Sequence, residues 1–98
     1  MKISIVTVAY NSELTIADTL QSVASQTYKN IEHLVIDGKS EDSTINIIKA
    51  HPNPSLSFIS EPDNGIYDAM NKGLQQAKGE VIGYLNSDDF YAENTVLE

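Results

Sequence analysis

Apolar residues along this chain gather into four short runs separated by longer amphipathic stretches. From Lys2 to Val8 the text is dense in Ile3, Ile5, Val6, Thr7 and Val8, the β-branched composition of a largely buried strand. Ala9-Tyr10-Asn11-Ser12 ends it, and Asn11 or Ser12 can cap a helix whose apolar positions are Leu14, Ala17, Leu20, Val23 and Ala24. That helix is expected to finish near Thr27. Ile31 to Ile36 reads as a second strand, closed by Asp37. A second helix, capped by Ser40 or Asp42 and packed through Ile45, Ile47 and Ile48, must stop before Pro52, because the residue ahead of a proline is pushed out of helical geometry.

His51 to Ser55 is a loop, Leu56 to Ser60 a third strand, and Glu61-Pro62-Asp63-Asn64-Gly65 a turn. A third helix, Ile66 to Ala77, is expected to bury Ile66, Met70, Leu74 and Ala77 and to close on Gly79 in the left-handed conformation. Val81 to Leu85 then has the length and composition of a buried fourth strand. Strands alternating with helix-length crossovers give a βαβαβαβ order, hence a three-layer α/β/α domain on a mainly parallel sheet.

In such sheets ligands bind beyond the carboxyl ends of the strands, where strand order reverses. Three of the four expected strands run out into polar groups: Tyr10-Asn11, Asp37 and Asp88-Asp89. Adjacent carboxylates repel one another, and their hard oxygens suit Mg²⁺ or Mn²⁺, which would neutralise both and keep positions open for phosphate oxygens.

Charge sharpens this picture. The chain has 98 residues, expected to form a single domain over 1–98, with 6 Lys and Arg against 14 Asp and Glu, a net charge of −8. A nucleic-acid backbone is thereby excluded as a partner, and an anionic substrate calls for a metal ion as intermediary. There is no Cys, so disulfides and thiolate metal sites are ruled out. No apolar run reaches the length of a membrane span and the amino terminus lacks a signal-peptide pattern, so a cytoplasmic chain is expected. The five glycines never take the spacing of a phosphate-binding loop.

Each candidate also has a plainer reading. Asp88-Asp89 could be a solvated turn, and Asp37 a cap for the segment after it. Lys72 and Asp68 lie four apart and could form a surface ion pair, or with Asn71 a polar face turned toward the site. His33 and His51 are isolated and read as structural. A phosphoacceptor signalling domain also clusters carboxylates at strand ends, but it carries the acidic pair after its first strand, whereas here the pair follows the fourth.

The order Ile5-Val6-Thr7-Val8-Ala9-Tyr10-Asn11, Ser22 to Tyr28, Val35-Ile36-Asp37-Gly38-Lys39-Ser40-Glu41-Asp42-Ser43-Thr44, Glu61 to Gly73, and Gly79 to Asp89 resembles the nucleotide-binding half of family 2 glycosyltransferases of the GT-A fold. The resemblance spans nearly the whole chain. It implies the truncated, amino-terminal donor-binding part of a longer enzyme that moves a hexosyl or N-acetylhexosaminyl group from a nucleoside-diphosphate sugar to a saccharide or lipid-linked acceptor. The reaction implied is inverting, dependent on Mn²⁺ or Mg²⁺, and part of polysaccharide or glycolipid synthesis at the inner face of the membrane, with peripheral membrane association through the remainder of the protein. A non-catalytic nucleotide-sugar-binding module is the alternative.

Carried over by residue, the resemblance assigns Val8 and Tyr10 to the base pocket and Asp37 to the base itself. Lys72 goes to the nucleotide or its phosphates. Asn86-Ser87-Asp88 stands where the family has its Asp-any-Asp element, with Asn for the leading Asp, so Asn86 and Asp88 go to the ribose and Asp88 and Asp89 to the metal. Lys39 stands where the family often has a small residue. The catalytic base is expected beyond Glu98, so these 98 residues are expected to bind donor without transferring sugar efficiently.

Overall fold

A computed structural model of the chain describes residues 2–62 and 65–85, the side chains of Ile66 and Tyr67 excepted. Elements follow in the order β1 (Ile3–Ala9), α1 (Ile16–Ala24), β2 (Ile31–Asp37), α2 (Thr44–Ala50), β3 (Leu56–Ser60), α3 (Ile66–Gln76) and β4 (Val81–Tyr84). The strands form one sheet in the order β3-β2-β1-β4, and every pairing is parallel. The chain works outward from β1 through β2 to β3, then returns to the other flank of β1 with β4. Strand order therefore reverses between β1 and β4, which is where a doubly wound sheet opens a crevice at its carboxyl end.

The pleat divides the core into two faces. Odd-numbered positions of β1 and β2 meet α1 and α2: Ala9, Val35, Ile16, Leu20 and Ile48 pack as one cluster, Ile5, Ile31, Val23 and Leu85 as another. Even-numbered positions meet α3, where Val6, Ile36 and Ala69 pack together. This is the three-layer arrangement that the strand and helix order predicts. On the α3 side the approach is set by Gly73, since a Cβ there would stand 2.4 Å from Val6 Cγ1.

Several details depart from the apolar pattern. Helix α1 begins at Ile16 and ends at Ala24, short of Thr27, and its inward face is Ile16, Thr19, Leu20 and Val23. Leu14 is 93% exposed and Ala17 is exposed too, because residues before Ile16 form a turn in which Ser12 O accepts from Thr15 N and Ile16 N. In α3 the buried contact falls to Ala69 and Gly73; Met70 and Ala77 are only half-buried and Leu74 is exposed.

Strand β4 is not a buried strand. It lies at one edge of the sheet, with Val81 43% and Ile82 46% exposed, and only Leu85 beyond it is buried. Gly79 does not take the left-handed conformation; the helix closes through Ala77 in extended geometry. Glycine is needed at 79 for close approach instead, as a Cβ would meet Ser4 N at 2.7 Å and Lys2 O at 2.9 Å.

Candidate functional site

At the carboxyl end of the sheet Ala9 and Asp37 are paired across β1 and β2, and Asp37 and Ser60 across β2 and β3. The Asp37 carboxylate is fully buried and collects three donors. Ser40 Oγ donates to Oδ1 at 2.5 Å, while Ser40 N and Ser60 Oγ donate to Oδ2 at 2.8 and 2.9 Å. Asp37 Oδ2 thus has both lone-pair directions taken and Oδ1 has one. Asp37 also binds the main chain of the next crossover, its carbonyl accepting from Glu61 N at 3.0 Å.

Ser40 faces two ways. Its hydroxyl, donor to Asp37, accepts from Asn11 N at 2.8 Å, and the Asn11 side-chain oxygen accepts in return from Glu41 N at 2.8 Å. Asn11 and Lys39 both have positive φ, 48° and 63°, the left-handed region that asparagine tolerates better than most residues. The exchange continues as Ser12 N donates to Thr44 Oγ1, Glu13 N to Asp42 Oδ2 and Ser43 N to Glu13 Oε2. The loops after β1 and β2 are thereby laced into one rim.

The capping expected of Asn11, Ser12 and Ser40 is accordingly not found. The helix-capping positions are Thr15 and Ser43, neither with a side-chain cap bond. Asp42 does serve the start of α2, accepting from Thr44 N at 2.9 Å and Thr44 Oγ1 at 2.5 Å. Burial pushes its carboxyl up, but the donors of Thr44 and Glu13 together outweigh this and hold it below the usual range.

The other expected site residues sit around this rim. Tyr10 is 59% exposed above β1, and Val8 is half-buried on the α3 face, against the Val6, Ile36 and Ala69 cluster. Asp37 belongs to the opposite face by the alternation of β2. Lys72 comes from α3 and is held by acceptors of its own: Glu61 Oε1 at 3.1 Å, Pro62 O at 3.0 Å and Asp68 Oδ2 at 3.5 Å. Hydrogen bonding to Glu61, aided by Asp68, raises its pKa. The structure thus brings Val8, Tyr10 and Asp37 to one end of the sheet without joining them in a single set of contacts, and it commits Lys72 to Glu61 and Asp68.

Asn86, Asp88 and Asp89 lie outside the described residues. Leu85, the last described residue, donates its N–H to Val6 O at 3.0 Å, beside β1 at the point where strand order reverses. Among the described residues no group of three His, Asp or Glu side chains is disposed to hold a metal ion. Sequence reading did not single out Ser60, which lies 23 residues from Asp37 and offers no local signal. For Ser40 the signal is the three-residue spacing from Asp37, which suits a side-chain-to-backbone turn.

Sequence and fold comparisons agree with this architecture. Residues 4–98 match the family model described as Glycosyl transferase family 2. The chain is 38% identical over 95 residues to the Escherichia coli UDP-Glc:alpha-D-GlcNAc-diphosphoundecaprenol beta-1,3-glucosyltransferase WfaP, covering 96% of the chain and 38% of that protein. It spans little more than a third, 37%, of the Mycobacterium tuberculosis relatives it also matches. Among solved structures, S. aureus TarS in complex with UDP-GlcNAc superposes with a TM-score of 0.84 at 33% identity, over 92% of the chain and 27% of TarS. A mannosyltransferase from Pyrobaculum calidifontis, PcManGT, in complex with GDP-Man and Mn²⁺, superposes with a TM-score of 0.87 at 24% identity, over 95% of the chain and 29% of that protein, and attests the fold. With a parallel sheet that reverses at β1 and β4, polar groups joined across the ends of β1, β2 and β3, and a family match over nearly its whole length, this chain belongs to the family 2 glycosyltransferases and has their GT-A fold.

Proposed function

We propose that residues 1–98 form a single domain, the amino-terminal donor-binding part of a longer enzyme that transfers a sugar from a nucleoside-diphosphate sugar to an acceptor hydroxyl. The observation that carries this reading is the gathering of the β1, β2 and β3 ends into one laced rim beside the strand-order reversal. The printed substrate of WfaP and the UDP-GlcNAc bound by TarS support a hexosyl or N-acetylhexosaminyl donor. The WfaP name also supports a lipid-linked saccharide acceptor, hence polysaccharide or glycolipid synthesis at the cytoplasmic face of the membrane. No helix among the described residues is long and apolar enough to cross a membrane, and peripheral association with the bilayer would come through the remainder of the protein.

In this reading Val8 and Tyr10 border the base and Asp37 recognises it. A direct bond from the base to Asp37 would use the Oδ1 lone pair that Ser40 leaves free and, since the carboxylate is buried, needs the rim above it to part while the serine donors stay in place. Lys72 serves the phosphates by exchanging Glu61 and Asp68 for the ligand. Asn86 and Asp88 hold the ribose, and Asp88 and Asp89 hold Mn²⁺ or Mg²⁺. Two adjacent carboxylates with a neighbouring amide are a hard-oxygen donor set suited to either ion. When bound, the ion offsets the negative charge that develops on the departing nucleoside diphosphate. Inversion needs one further carboxylate to deprotonate the acceptor, supplied from beyond Glu98.

Titration calorimetry with UDP and Mn²⁺ tests the reading. Binding to the wild-type chain is expected, with loss of detectable binding in Asp89→Ala and weakening in Asp37→Ala. Equal affinity of the wild type and Asp89→Ala would sink the metal role.

A further inference from the structure

Ser40 occupies an unusual place in the rim. Through one hydroxyl it connects the loop after β1 to the end of β2, as acceptor from Asn11 N at 2.8 Å and donor to Asp37 Oδ1 at 2.5 Å. Through Asp37 Oδ2 the connection passes on to Ser60 Oγ, at 2.9 Å, and so to the end of β3. Three strand ends that are far apart in sequence thus share one chain of hydrogen bonds. Donation converges on the carboxylate, from Asn11 N–H through the Ser40 hydroxyl on one side and from the Ser60 hydroxyl on the other, and each link restricts the orientation of the next.

We propose that Ser40 is a positioning residue for the nucleoside half of the donor site, its hydroxyl setting both the direction of the Asp37 carboxylate and the height of the Tyr10–Asn11 lip. This rests on the donor-binding reading above. A hydroxyl serves both ends because it can donate and accept at once. Alanine at 40 would leave Asp37 Oδ1 without its donor and Asn11 N–H without its acceptor. It would keep the Ser40 N–H on Oδ2, the Ser60 hydroxyl on Oδ2 and the Glu41 N–H on Asn11, so the turn retains its outline. Loss of the hydroxyl therefore frees the orientation of the carboxylate and lip without removing the loop.

The experiment compares two probes by titration calorimetry with Mn²⁺ present: UDP, which has a nucleoside, and inorganic pyrophosphate, which has none. Ser40→Ala is expected to weaken UDP about tenfold and leave pyrophosphate unchanged. Ser60→Ala, which removes one donor and leaves the Asn11 link intact, should weaken UDP about threefold. Ser40→Thr keeps a hydroxyl and should restore most of the UDP affinity. A merely structural role for Ser40 would move both probes together, so parallel loss of UDP and pyrophosphate overturns the proposal. Wild-type affinity of Ser40→Ala for UDP also overturns it, as does a Ser40→Thr variant as weak as Ser40→Ala. A wild-type chain that binds pyrophosphate and UDP equally well overturns the nucleoside site, and one that binds neither overturns the donor-binding reading beneath it.

Discussion

At the amino-terminal end of the sheet Glu32 accepts from the Ser4 hydroxyl and from Lys78 N, and Ser4 Oγ in turn accepts from Gly79 N at 2.7 Å. At the carboxyl-terminal end Asp37 accepts from Ser40 and Ser60, and Ser40 Oγ accepts from Asn11 N. Each end has a carboxylate on β2, a serine hydroxyl that both gives and takes, and a backbone N–H from a distant segment. The difference lies in what surrounds them. The first network closes over a glycine with Lys2 O and Ser4 N less than 3 Å from where its Cβ would be, which draws the start of β4 against β1. The second is ringed by loop residues with left-handed backbone and by the exposed Tyr10. Similar hydrogen bonding thus makes a seam at one end and the border of the proposed donor site at the other.

The largest effect is expected at the seam. Gly79→Ala sets a methyl group against backbone atoms of Ser4 and Lys2, which cannot rotate aside, and should cost about 3 kcal/mol in urea denaturation. If the comparison holds, the folded fraction of this variant still binds UDP with Mn²⁺ at wild-type affinity. Loss of that affinity would mean that the two ends are not separable.

Between the ends lies His33, buried on the α1–α2 face, with Nε2 2.8 Å from Thr7 Oγ1. Its Nδ1 and the Nε2 of His51 are buried without hydrogen-bond partners among the described residues. Burial, and secondarily the charge of His51, pushes its pKa down from 6.5 to about 4. The unfolded chain therefore takes up a proton at a pH where the native chain does not. The contribution is intact above pH 6.5 and is lost as pH falls toward 4, by about 3 kcal/mol in all. Urea midpoints across that window should fall for the wild type and flatten for His33→Gln. An equally steep profile in the variant would assign the loss to other groups.

Asp37→Ala strands three partly buried donors and should cost about 2 kcal/mol. It sharpens the comparison because UDP affinity should fall further than the lost folded fraction explains, the reverse of Gly79→Ala. The smallest change belongs to Lys72→Met. Its ion pairs with Glu61 and Asp68 are partly exposed, so the melting midpoint should move by only about 1 °C even though UDP binding weakens.

The strands and crossovers were legible because their causes are local. Leu56–Ser60 is the third strand that its bounding turns predict, and α2 stops ahead of Pro52 as the proline requires. The burial expected of Leu14, Ala17 and Leu74 failed because the side of a helix that faces the sheet depends on where that helix starts and what it meets. Asp37 was visible as a strand-end carboxylate. Its burial and its three donors were not, since Ser60 reaches it only through the pairing of β2 with β3.

By itself, then, the order of apolar runs and turn residues determined the alternation of elements, because period and turn chemistry act over a few residues, while the motifs at the strand ends carried the resemblance to the family. The tertiary structure alone decided that β4 is an edge strand, that Gly79 serves close approach and that Ser40 joins three strand ends. Those outcomes depend on distances between segments as many as 75 residues apart, as with Ser4 and Gly79, which only the folded sheet brings together.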